Sequence, residues 1–259
     1  MNIVVLVKQV PDTWAERKLK DSDKTLDRAS VDVVMNEIDE YAVEEALRIK
    51  EAQGGEVTIL TMGPERATET IRKALSMGAD KAVHVVDDAL AGSDAVQTSA
   101  ALAKAIEGLS PDLVILGTES TDAGMSVMAA MLSERLGWPQ LSNAGKVELD
   151  GTTVKIQRLT DNGHDVVEGS LPAIVSVVEK INEPRYPSFK GIMAAKSKPL
   201  ETKSLADLGL EATAVGLANA PTQVVSFATK PPRQAGQVVK DEGDGGQKVA
   251  EFLASQKFI

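Results

Sequence analysis

The stretch Gly117-Thr118-Glu119-Ser120-Thr121-Asp122-Ala123-Gly124-Met125-Ser126 combines glycines, hydroxyls and acids directly ahead of a helical apolar pattern. Unpaired N–H groups at a helix start, flanked by Gly117, Ser120, Thr121, Gly124 and Ser126, suit an anion such as a nucleotide phosphate. The stretch lacks the lysine of a Walker loop and the GxGxxG spacing, and hydroxyl-rich loops before helices are often plain caps. Phosphate cradle and simple cap therefore both stay open. Asp122 is the obvious general base near this loop, yet no His or Lys adjoins it in sequence. A second group, Asn36 followed by Glu37, Ile38, Asp39 and Glu40, opens another helix; an N-cap and dipole-complementing acids explain most of it.

Other chemistries are closed off by composition. The chain has no cysteine, so disulfides, thiolate metal sites and thiol nucleophiles are excluded. Its two histidines, His84 and His164, fall in separate predicted strands, where packed or surface roles are the rule. A net charge of -10 and 3% aromatic residues argue against a nucleic-acid platform. No stretch approaches the roughly 20 apolar residues needed to span a bilayer. The opening MNIVVLVKQV reads as a strand rather than a signal peptide, and a cytoplasmic location is expected.

The elements that must position these groups follow a βαβα order. Continuous apolar runs at Ile3 to Val7, Val57 to Thr61, Ala82 to Val86 and Leu113 to Leu116 predict strands covered on both faces. Helical stripes lie between them: Ile38, Tyr41, Ala42, Ala46 and Ile49; then Ala67, Ile71, Ala74 and Leu75, ending at Gly78; then about Ser93 to Glu107. A fourth carries Met125, Met128, Ala129, Leu132 and Leu136 and stops at Gly137. Right-handed crossovers then give a mostly parallel Rossmann-like sheet flanked by helices. After Pro139 the pattern alternates at Val154 and Ile156, turns at Asp161-Asn162-Gly163, and continues as strands at Asp165 to Val167 and Ala173 to Val178. An antiparallel extension of the sheet is the simplest reading. In an open parallel sheet ligands sit beyond the carboxyl ends of the strands, here Val7-Lys8, Met62-Gly63, Asp87 and Gly117-Thr118.

Two later segments look built for contact with another molecule. Asn182 to Lys196 carries Tyr186, Phe189, Ile192 and Met193 among polar residues and is stiffened by Pro184 and Pro187. From about Pro199 the chain is rich in Pro, Gly, Gln and Thr, and near its end Val249, Phe252 and Leu253 form a small helical apolar face. The expected division is a nucleotide-binding α/β domain over 1–199, with a recognition loop at 182–198, and an extended C-terminal arm over 200–259 that finds its fold on a partner.

The residues also resemble a known family. VxxxNEPRYPSFxGIMAAKxKPL, from Val178 to Leu200, is similar to the signature segment of electron-transfer flavoprotein β subunits, fixation-type homologues included. VLVKQVPD (Val5 to Asp12), MNEIDEYAVEEALRIKE (Met35 to Glu51), MGPERATETIRKALSMGADKAVHV (Met62 to Val85) and Trp138-Pro139-Gln140 agree with it, so the resemblance covers about residues 1 to 200.

The resemblance implies an adenine-nucleotide-hydrolase-like fold and a heterodimer with an α subunit that holds most of a redox-active FAD. Such a carrier takes electrons from dehydrogenases, acyl-CoA dehydrogenases among them, and passes them to a membrane quinone oxidoreductase. It further implies a structural AMP in this chain, held by Leu6, by Asn36, Glu37, Ile38 and Asp39, by Met62, and by the loop after Gly117. In that loop Ser120, Thr121, Asp122, Ala123 and Gly124 are followed by Met125, Ser126, Val127 and Met128, where many relatives have an acid-rich run and Asn-Gln-Thr. A second FAD in place of AMP, as in the electron-bifurcating type, is the alternative; Asp94, Thr98 and Ser99 are faintly similar to that type's pattern. Tyr186, Phe189, Ile192 and Met193 fall in the family's partner-recognition segment, with Phe189 as the anchor, and the C-terminal arm wraps the α subunit. No residue of this chain is expected to be catalytic. Readings of other classes are a nucleotide hydrolase or sensor built on Asp122, and a purely structural module.

Overall fold

The computed structural model describes residues 1–259 apart from 234, 235 and 237, three positions of the expected arm that lie outside the described residues. The N-terminal apolar runs become strands of a single large sheet. β1 (Asn2–Leu6) is followed by a small antiparallel pair, β2 (Gln9–Pro11) and β3 (Val33–Met35), and then by α1 (Glu37–Gln53). β4 (Glu56–Met62), α2 (Thr68–Met77), β5 (Lys81–Val85), α3 (Ala95–Leu109) and β6 (Leu113–Gly117) continue the alternation. β4 and β6 flank β1 on either side, both parallel to it. Because strand side chains alternate between faces, Ile3 and Val5 join the core under α1 and α2, while Val4 and Leu6 join the core under α3 and the next helix, α4 (Met128–Leu136). Both faces are covered, which is why these strands read as unbroken apolar runs.

The fourth helix starts at Met128, three residues later than the apolar stripe predicts. Ser126 takes φ 53°, a left-handed conformation that ends any helical continuity with Met125. Beyond it, β7 (Gln140–Asp150), β8 (Thr153–Thr160) and β9 (Gly163–Ser170) build the antiparallel extension, with β8 and β9 joined at the Asp161-Asn162-Gly163 turn. β10 (Ala173–Val177) does not belong to that extension: all five residues are buried, and it runs parallel between β6 and β7. The complete order is β11-β5-β4-β1-β6-β10-β7-β8-β9, where β11 is Leu200–Lys203.

The chain stays with the sheet beyond residue 199. After α5 (Phe189–Ala195), β11 (Leu200–Lys203) adds to the edge, parallel to β5 with Leu200 opposite Ala82. Leu205, Leu208 and Val215 are buried in the α3 and α4 core. The first compact unit therefore runs from Met1 to Val225, and the second is Ser226–Ile259. Within the second unit α6 (Gly245–Ser255) has no buried residue, and Val249, Phe252, Phe258 and Ile259 are exposed. Among the described residues no helix is long and apolar enough to cross a membrane.

Candidate functional site

The chain leaves β1 for α1 and β4 on one side, whereas β6 lies on the other side of β1. That makes the carboxyl ends of β1 and β6 a topological switch point, the crevice where open α/β sheets take ligands. Three segments meet there: the end of β1 with Lys8, the first turn of α1, and the loop after Gly117.

Their junction is tight. A Cβ on Gly117 would lie 2.5 Å from Asp39 Oδ1 and 3.1 Å from the backbone carbon of Ile38, so only glycine lets β6 end against α1. The Asp39 carboxyl is buried and accepts the Lys8 backbone N–H at 2.8 Å and the Asn36 side-chain amide at 3.0 Å. Asn36 also donates to the Glu119 carbonyl at 2.9 Å and accepts the Thr121 N–H at 3.0 Å. It is therefore a brace between helix and loop rather than the side-chain N-cap that the sequence suggests. Burial pushes the Asp39 carboxyl up to about 7, although hydrogen bonds from Asn36 and Lys8 work in the opposite direction.

Asp122 sits within the loop with a side chain only 1% exposed. Lys8 Nζ reaches it at 2.7 Å and Ser120 Oγ at 3.0 Å, and the Arg28 guanidinium closes on its second oxygen. Burial acts to raise this carboxyl, but the charge and hydrogen bond of Lys8, the Ser120 hydroxyl and the charge of Arg28 outweigh it. Asp122 is held below the usual carboxylate range. A carboxylate neutralised by two cations is a poor proton acceptor, so it does not suit the general-base role. The spatial neighbour missing from its own sequence stretch is Lys8. Arg28 gives no sequence signal, because the excursion between β2 and β3 that delivers it has no apolar periodicity.

The remaining candidate residues spread around this junction. Leu6 ends β1 in the core under α3 and α4, and Met62 and Met128 pack against the same core from partly buried positions. Glu37 accepts the Thr13 hydroxyl at 3.1 Å. The N–H groups of Ala123 and Gly124 donate to the Ser120 carbonyl at 3.2 and 2.8 Å, which curls the loop. Ser126 Oγ donates to Glu119 at 2.7 Å, Val127 immediately precedes α4, and Met125 is exposed. His84 Nε2 donates to the Gly63 carbonyl at 3.0 Å and fixes the end of β4; burial lowers its pKa. Among the described residues no group of three His, Cys, Asp or Glu could hold a metal ion.

On the α1 and α2 side, the segment after β10 presents its apolar residues outward. Tyr186 is 97% and Phe189 80% exposed, with Ile192 and Met193 about half exposed beside them. Ser188 caps α5 by accepting the Gly191 N–H at 3.1 Å. Farther along, Asp94 Oδ1 caps α3 through the Gln97 N–H, while its Oδ2 accepts both the backbone N–H and the hydroxyl of Thr222.

Residues 23–208 match the model of the Electron transfer flavoprotein domain. An electron transfer flavoprotein subunit beta of Mycobacterium tuberculosis is 55% identical, over 100% of this chain and 99% of its own length. Proteins of the same name from Thermoanaerobacterium thermosaccharolyticum and Megasphaera elsdenii are 40% and 35% identical, each over 100% of both chains. With its mostly parallel sheet, its antiparallel extension and similarity running from end to end, this chain belongs to the β-subunit family of the electron transfer flavoproteins.

Proposed function

We propose that this chain is the smaller half of a heterodimeric electron carrier. The carrier accepts electrons from dehydrogenases such as acyl-CoA dehydrogenases and delivers them to a membrane quinone oxidoreductase. The observation that carries this reading is a division of labour on one scaffold. The crevice carboxylates Asp39 and Asp122 are spent on internal hydrogen bonds and ion pairs, while Phe189 and its neighbours face outward on a segment held by α1 and α2. Such a chain offers docking and support rather than bond-breaking groups. The redox chemistry would come from an FAD held mainly by the α subunit, on which the second unit, with its exposed apolar α6, would fold its arm.

We infer that the crevice takes an AMP whose role is structural. Lys8 and Arg28 bring two positive charges against the single Asp122 carboxylate, and the start of α4 offers N–H groups to a phosphate. The Thr121 hydroxyl is buried there without a hydrogen-bond partner among the described residues, as in a polar site that a further group completes. Leu6, Met62 and Ile38 would border the base. Asp94 caps α3 with one oxygen and grips Thr222 with the other, so its place in the fold is explained without a second FAD.

The test is co-expression with the α subunit and acid release of the bound nucleotides. One FAD and one AMP per heterodimer, with the flavin reduced by an acyl-CoA dehydrogenase, is the expected result. Two FAD would convert the reading to electron bifurcation, and a colourless complex would sink it.

A further inference from the structure

Resting on the docking role proposed above, we infer that Arg185 is the positioning residue of the outward-facing segment, and that the segment is clamped into its docking shape before any dehydrogenase arrives. α5 spans only Phe189–Ala195, far too short to be stable alone, so its orientation must be imposed by its surroundings. Arg185 imposes it at one end. Its Nε and Nη2 grip the two oxygens of Glu44 at 2.7 and 3.0 Å, its Nη1 and Nη2 reach Glu51, and its backbone N–H donates to Glu44 at 3.1 Å.

This fork is unlike an ordinary surface ion pair. The Glu44 side chain is 5% exposed, and the bidentate geometry fixes the plane of the guanidinium as well as its distance. Burial alone would raise the Glu44 carboxyl; the Arg185 hydrogen bonds and charge outweigh burial and hold it low, and Glu44 and then Glu51 raise the Arg185 pKa in return. The prolines at 184 and 187 stiffen the chain on either side, and Tyr186 follows the fork directly.

The far end is fastened independently. Arg72 of α2 donates to the Ala195 and Lys198 carbonyls at 2.6 and 3.1 Å, and Lys198 Nζ donates to the carbonyls of Leu75 and Ala79 at the end of α2. Between the clamps, Gly191 rests on the Ser76 carbonyl, where a Cβ would lie at 2.4 Å. A segment ordered in advance loses little freedom on docking, so the clamp acts on affinity for the dehydrogenase.

The test uses the purified heterodimer, an acyl-CoA dehydrogenase of the same organism, and the variants Arg185→Ala, Arg185→Lys and the milder Glu51→Gln, which removes the charge of the exposed partner. Arg185→Ala is expected to raise the apparent KM for the carrier at least tenfold with kcat changed less than twofold. Arg185→Lys, which keeps the charge without the fork, should recover only part of this. Amide hydrogen exchange over residues 186–196 should quicken in the order Glu51→Gln, Arg185→Lys, Arg185→Ala, with flavin content and the visible spectrum unchanged. Wild-type KM and wild-type exchange in Arg185→Ala would overturn the inference. If that variant does not assemble, wild-type KM and exchange in Glu51→Gln overturn it instead. Failure of the wild-type complex to accept electrons would strike the functional reading, and is distinguished because an error in the inference leaves wild-type rates intact.

Discussion

Gly117 and Asp39 are packed without an intervening side chain: a Cβ on Gly117 would stand 2.5 Å from Oδ1 of Asp39. The end of β6 thereby sets the height of the first turn of α1, and the loop up to Met128 starts from that contact. Gly117→Ala should destabilise the protein by about 1–3 kcal/mol, the usual cost of forcing a methyl group into a packed site. It should also weaken retention of the AMP proposed for the crevice. Thermal unfolding of the complex and its nucleotide content after gel filtration measure both effects, and wild-type values would show that the junction yields freely.

Asp39 gives stability a pH dependence. Its folded carboxyl is pushed up by burial to about 7 from 3.8. Between about pH 4 and 7 the folded state therefore holds a proton that the unfolded chain releases. The contribution of this group is fully present below about pH 4 and is lost as pH rises through about 7, with a slope of at most about 1.4 kcal/mol per pH unit. Asp39→Asn should be less stable, because its amide N–H group meets other donors at Lys8 and Asn36, yet its stability should vary less over this window. Urea midpoints from pH 5 to 8 decide the matter; an equally steep dependence in the variant would assign it to other groups.

Phe189 is exposed, so its removal should spare the fold and impair docking. Phe189→Ala is expected to change unfolding free energy by less than about 0.5 kcal/mol. Reduction by the dehydrogenase should slow at least about tenfold, as for an interface anchor worth about 1.4 kcal/mol or more. Stopped-flow reduction with flavin content as control is the measurement, and an unchanged rate would remove Phe189 from the interface.

Deleting Ser226–Ile259 should leave the first unit folded, since its core ends with Val215 and its last tie to α3 is Thr222. Co-purification with the α subunit should fall sharply. Circular dichroism and affinity pull-down of the truncated chain test the two halves of this statement, and full retention of the α subunit would place the docking surface on residues 1–225.

Much of this was legible in the residues. Unbroken apolar runs marked β1, β4, β5 and β6, because a strand covered on both faces has no polar side to show. The same rule, applied to Ala173 to Val177, would have moved β10 from the antiparallel extension to the centre of the sheet. β11 was hidden because an edge strand of four residues, Leu200–Lys203, carries little pattern. At the crevice, Asn36, Asp39 and Asp122 stood out by type and position. Their partners Lys8 and Arg28 lie 114 and 94 residues from Asp122, a distance that only the folded chain closes.

Helix α1 has a consequence that reaches past the crevice. Its N-cap Asn36 and first-turn Asp39 stand against the loop after Gly117, and farther along the same rod Glu44 and Glu51 hold the segment that carries Phe189. From residue 39 to residue 51 a helix rises about 18 Å. The chain thus contains its own measuring stick, with the proposed nucleotide site as the foundation stone at one end and the proposed mooring for a dehydrogenase at the other.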